Sequence, residues 1–163
     1  RATTAQTDLP VTVTAVLNTA IAISHAEPRW RPQPGEERFN QLVGRELQTI
    51  AGDRLQRSIS VQGVSGHQLE IPFVIDLPAT GRHYIQPVAS GDAHVDWGNV
   101  YKAGGKMLDL KSAGADQYQR IVVIEDIPGD KELGKAVTFL SVTTSVLLFS
   151  HRAQWLQRFG EAA

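Results

Sequence analysis

Residues 55–89, LQRSISVQGVSGHQLEIPFVIDLPATGRHYIQPVA, decide how this chain folds. Leu55 to Val61 alternates apolar and polar residues, the two-residue period of a half-buried strand. GVSG at 63–66 supplies a turn, Gln68 to Leu77 a second strand, PATG at 78–81 another turn, and His83 to Ala89 a third strand. Connections this short join antiparallel neighbours. Pro72 and Pro87 each remove a ladder donor, so they predict an edge, a bulge or a pairing that lapses at their level.

Upstream the period changes. Over Glu36–Ala51, Phe39, Leu42, Val43, Glu46, Leu47 and Ile50 recur at i, i+3 and i+4, and Glu36 and Glu37 favour a helix start there. Gly52 and Asp53 stop that helix. Further upstream, Val13, Val16, Leu17, Ala20 and Ile21 predict a helix over 10–24, with a strand as the rival reading of VTVTAV. Between the two, EPRWRPQPG at 27–35 is a proline-rich bridge that no continuous element crosses.

Downstream, Val95–Ala113 is a helix weakened at Gly104 and Gly105 by about 1 kcal/mol per glycine relative to alanine. Gln119–Ile124, QRIVVI, is the continuously apolar kind of strand that is covered on both faces. EDIPGD at 125–130 is the following turn, with Asp130 expected to cap a helix over Lys131–Phe139. Val142–Phe149 reads as a strand and Arg152–Phe159 as an amphipathic helix. The order is α-α-β-β-β-α-β-α-β-α, and its last β-α-β unit predicts a right-handed parallel crossover. The fold class is α/β leaning to α+β, a mixed central sheet of about five strands flanked by helices. Residues 1–35, a helix and bridge, are expected to pack on a core of 36–163.

Composition excludes several functions. With 16 Lys and Arg against 17 Asp and Glu, the formal charge of −1 lacks the overall basic excess of many nucleic-acid binders. The chain has no cysteine, so disulfides, thiolate nucleophiles and cysteine-type zinc sites are impossible. That absence fits a reducing, cytoplasmic setting. No apolar run is long enough to span a bilayer, so no membrane is expected. A chain beginning with Arg1 is expected to be a processed product or a piece of a longer parent.

Several groups are candidates for chemistry. Glu125 and Asp126 stand at the C-terminal end of the 119–124 strand, where open sheets place ligands. Lys102 and Lys106 share a helix face beside Tyr101, and Arg29 flanks Trp30 in the bridge. Both are candidates for meeting a phosphate backbone. His67, His83 and His94 have no metal-motif spacing, so no metal site is assigned to them. Ser65 lies outside any nucleophile elbow, and no glycine-rich phosphate loop is present.

The run α-β-β-β-α-β over roughly 36–150 resembles the restriction-endonuclease-like, or PD-(D/E)XK nuclease, fold. The resemblance implies acidic residues on the second strand, and an acidic residue or Gln followed at i+2 by Lys on the third. Together these hold Mg²⁺ and a water, often with a Glu from the preceding helix. Here Gln86 takes the third-strand position and Val88 stands where the lysine belongs. Asp76 is the second-strand carboxylate, with Glu70 on the same parity, Glu36 or Glu37 standing in for the helix Glu, and Lys102 or Lys106 pointing back. With Val88 in place of the cation, the chain is expected to be a degenerate member, similar to uncharacterised prokaryotic and phage-associated domains. It would serve as a non-catalytic interaction or scaffold module for another chain or the rest of its parent, without a cofactor. A Mg²⁺-dependent nuclease with a rearranged site is the alternative, and ligand binding at Glu125 and Asp126 a third.

Overall fold

The computed structural model describes residues 34–160, apart from 93, 113–115 and 117–118. The expected helix over 10–24 and the bridge with Arg29 and Trp30 lie outside the described residues. Helix α1 (Pro34–Ala51) begins two residues before the expected Glu36. Its first residue is the last proline of the bridge, whose fixed φ suits an opening helical turn.

Five strands follow the expected order: β1 (Leu55–Gln62), β2 (Gln68–Leu77), β3 (Gly81–Val88), β4 (Arg120–Ile124) and β5 (Ser145–Leu148). They form one mixed sheet in the spatial order β1-β2-β3-β4-β5. The short turns make β1, β2 and β3 antiparallel. Helices α2 (Trp97–Ser112) and α3 (Leu133–Ser141) carry the crossovers that make β3, β4 and β5 parallel. Among the described residues the fold is therefore α+β, and no helix is long and apolar enough to cross a membrane.

Several boundaries depart from the sequence reading, among them β3, at Gly81–Val88 rather than His83–Ala89, and α2, at Trp97–Ser112 rather than Val95–Ala113. Helix α3 starts at Leu133 rather than Lys131. Asp130 does not cap Lys131: its carboxylate accepts from Glu132 N at 2.8 Å and Val95 N at 2.7 Å, tying the loops before α3 and α2 together. The last strand shrinks from Val142–Phe149 to Ser145–Leu148, because Thr143 N and Thr144 N both donate to Leu140 O and close the helix instead. The expected Arg152–Phe159 helix is broken into a 3-10 turn (Phe149–His151), α4 (Arg152–Trp155) and α5 (Gln157–Gly160).

Two apolar layers sandwich the sheet. On one face Phe39, Val43 and Leu47 of α1 meet Ile75, Ile85, Val123 and the Trp155–Phe159 ridge. On the other, Val100, Met107 and Leu110 of α2 and Leu140 of α3 cover Val74, Val88, Val122 and Ile124. All five residues of β4 are buried, Arg120 included. The Arg120 guanidinium donates to Met107 O at 3.0 Å and Asp116 O at 3.1 Å, so backbone carbonyls satisfy a charge that burial disfavours.

The first hairpin rolls over halfway along. Leu55 and Phe73 belong to the α1 layer, whereas Ile59, Val61, Leu69 and Ile71 pack with the α2 layer. Strand alternation alone would keep residues 71 and 73, two apart, on one face. The switch falls at Ser58, whose φ of 51° is left-handed, and at Pro72, its register partner, which has no N–H. The hairpin tip thus bends over α2. Asp109 of α2 accepts from Ser65 N at 2.9 Å and Ser65 Oγ at 2.6 Å, pinning the 63–66 turn. Gly63 is required there, since a Cβ would lie 2.0 Å from Asp109 Oδ2.

Candidate functional site

Pairing between β2 and β3 runs from Leu77↔Gly81 to Phe73↔Ile85 and stops. The next positions are Pro72 opposite Gln86 and Ile71 opposite Pro87. Each proline lacks the donor that a ladder needs, so the strands part there, as the sequence predicts. Gln86, on the α2 face of β3, is buried in the gap and donates to Pro87 O at 3.0 Å. Its Oε1 accepts from Lys106 Nζ at 3.0 Å, and the same ammonium donates to Glu70 O at 2.9 Å. Lys106 is therefore the lysine of α2 that points back, filling the space between the splayed strands. Burial pushes its pKa down, while Glu70 and Glu36 act in the opposite direction.

Glu36 sits at the start of α1, beside the mouth of this gap. It is 8% exposed, and its Oε2 has no hydrogen-bond partner among the described residues. Burial raises its pKa; Lys102 and Lys106 draw it down and Asp96 adds to the rise. Glu36 and Lys106 thus act on each other electrostatically, one pKa pushed up and the other down, and perturbed groups of this kind are what functional sites favour. Next to Glu36 lies a cavity of about 510 Å³ lined by Gly35, Glu36, Arg38, Ser90, Asp96 and Asn99, among others. Asp96 caps α2, with Oδ1 accepting from Gly98 N at 2.8 Å and Asn99 N at 3.3 Å. Arg38 is paired with Glu125, whose other carboxylate oxygen accepts from Ser90 N at 3.2 Å.

Asp76 does not reach the cleft. Its register partner is Arg82, four residues before Gln86 on β3, or about 13 Å along the strand. There its carboxylate accepts from Arg82 Nε at 2.7 Å, Arg82 Nη2 at 2.9 Å and Gln56 Nε2 at 3.0 Å. The Arg82 hydrogen bonds hold its pKa below the ordinary carboxylate value. Glu37 is exposed on the outer side of α1, where Gln41 Nε2 approaches it at 3.5 Å. Glu70 contributes its backbone oxygen to the cleft. Lys102 is exposed; with Lys106 turned inward, the two do not form one outward basic stripe.

Glu125 and Asp126 serve the loops. Glu125 N donates to Val88 O at 2.9 Å, and Asp126 Oδ1 accepts from Ser150 N at 2.8 Å. For Asp126, burial raises the pKa, but the Ser150 hydrogen bonds, its own backbone N–H and His151 together leave a net lowering. His67 Nδ1 lies 3.1 Å from Ser65 Oγ, and Ser65 in turn donates to Asp109. Serine thus stands between carboxylate and imidazole, the wrong order for a base-activated nucleophile. His83 is buried beside Thr80, with its Nε2 2.7 Å from Thr80 Oγ1.

The cleft residues do not suit Mg²⁺. That ion takes octahedral oxygen ligands at about 2.0–2.1 Å. Gln86 Oε1 already accepts from an ammonium, Asp76 is held elsewhere, and no cluster of three His, Cys, Asp or Glu among the described residues is placed to hold a metal. Asp96, Asn99 and Ser90 were not singled out from sequence. The Asp-Trp-Gly-Asn run at 96–99 carries a legible N-cap signal, but nothing local shows that Glu36 would stand next to it. Comparison with protein-family models, curated proteins and solved structures gives no match.

Proposed function

We propose that this chain is a non-catalytic binding module on a nuclease-like core. The observation that carries the reading is the Asp76 carboxylate, held by Arg82 Nε at 2.7 Å and Gln56 Nε2 at 3.0 Å, away from Gln86. Lys106 Nζ, 3.0 Å from Gln86 Oε1, brings back the cation that Val88 lacks, and to that extent favours the nuclease alternative. Without a second-strand carboxylate beside Gln86, however, a divalent ion there would lack the hard anionic oxygen it needs. Contact with another protein chain is supported by the outer face of α2 and α3. There the rings of Trp97, Tyr101 and Phe139 meet with centroids 5.4–6.4 Å apart, and Tyr101 and Phe139 remain exposed.

The test is cleavage of DNA and RNA with Mg²⁺ or Mn²⁺, using Lys106→Ala and Asp76→Ala as controls. No metal-dependent turnover is the expected result. Turnover that needs metal and disappears in Lys106→Ala would establish the nuclease alternative, with Lys106 steadying the nucleophile.

A further inference from the structure

We infer that the cavity between the N-termini of α1 and α2 binds an organic cation, whose ammonium or guanidinium group donates hydrogen bonds to the Glu36 carboxylate. The inference rests on reading the cleft as a binding site rather than a metal centre.

The first ground is an unmet acceptor. Glu36 Oε2 is buried and has no hydrogen-bond partner among the described residues, although an orphaned buried polar atom is costly. The nearby groups are largely committed: Arg38 to Glu125, Lys106 to Gln86 and Glu70, and the Asp96 carboxylate to the first turn of α2. The second ground is the sign of the lining. The lining holds three carboxylates, Glu36, Asp92 and Asp96, against the Arg38 guanidinium, which is already paired; Lys102 and Lys106 act on Glu36 from outside the lining. The lining itself therefore favours a cation over an anion.

The third ground is size and chemistry. At about 510 Å³ the cavity has the dimensions of a small-molecule site and exceeds the needs of a bare ion. Ser90 and Asn99 add uncharged hydrogen-bonding groups, which suit N–H donors. The cation has two possible sources, a free amine or guanidine and the Arg or Lys side chain of a protein partner. Both present the same donors.

The experiment titrates the whole chain at pH 7 with agmatine and with the peptide acetyl-Gly-Arg-Gly-amide, followed by calorimetry. Acetate and Mg²⁺ are titrated in parallel. Saturable binding of a cationic probe is expected, with Kd rising at least about tenfold in Glu36→Gln, the scale of one lost charge-assisted bond. Glu37→Gln, at an exposed neighbour on the same helix, should leave Kd unchanged. Tighter binding of agmatine assigns the free-ligand source; tighter binding of the peptide assigns the partner side chain. Equal affinity in Glu36→Gln, no saturable binding of either probe, or displacement of agmatine by equimolar Mg²⁺ would overturn the inference. Cleavage is not measured here, so failure to bind leaves the non-catalytic reading standing, and metal-dependent turnover sinks that reading separately.

Discussion

Folding moves the Glu36 carboxyl largely out of water, and the sign of its pH dependence follows. Burial raises its folded pKa above the unfolded value, with Lys102, Lys106 and Asp96 as the charged groups acting on it. A carboxyl shifted this way favours the folded state most below its unfolded pKa, and that contribution is lost as pH rises through the folded value. Glu36→Gln should therefore raise the melting temperature at pH 7. The gap to wild type should close as pH falls below the ordinary carboxylate range. Thermal melts across that range check the sign. Ser58 is a second strained residue, because a left-handed φ suits few side chains and β-branched ones least. Ser58→Val should cost about 1–2 kcal/mol, while Ser58→Gly should be tolerated. Urea titrations of the two variants separate them.

Two helix glycines with the same propensity penalty should respond in opposite directions. In α2, nothing lies within 4 Å of a Cβ added at Gly105, so Gly105→Ala should gain about 1 kcal/mol from helix propensity alone. In α1, a Cβ at Gly44 would meet the Phe73 ring and Arg57 Nη1 at 2.9 Å. Phe73 is buried and Arg57 is held by Gly44 O at 3.1 Å, so neither gives way easily. Gly44→Ala should lose about 1–3 kcal/mol through overpacking despite the better propensity. Chemical denaturation of both variants tests the contrast. At this scale most elements were legible, because α1, β2 and β4 announce themselves by period and by flanking turns. The end of α3 was not. Val142 has the composition of a strand residue, yet it is 72% exposed, and the helix closure by Thr143 and Thr144 leaves it outside β5.

For the molecule as a whole, the decisive quantity is response to metal. A site with Kd one-hundredth of the Mg²⁺ concentration would stabilise the fold by about 2.7 kcal/mol, which a melt reads as a rise of several degrees. No such rise is expected for the wild-type chain; a clear one would count against the non-catalytic reading. The mixed sheet and its five-strand order were within reach of sequence reasoning, since two short turns and two helical crossovers leave few topologies. The site was only half legible. Gln86 and an inward lysine, Lys102 or Lys106, were named only through the resemblance, and Asp76, expected beside Gln86, pairs with Arg82 instead because the 78–81 turn sets them opposite each other. That Glu36 and Asp96 line one cavity is a long-range product of packing that no local pattern encodes. Arg120 escaped for a similar reason: its acceptor on Met107 belongs to another element.

Pro72 has one more consequence, which concerns access. Extending the β2–β3 register past Phe73↔Ile85 sets it level with Gln86, where pairing has already stopped. A residue with a backbone N–H there would favour zipping β2 onto β3 and closing the space that Lys106 fills. The imino acid thus acts as a wedge that keeps a berth open for a side chain from another layer.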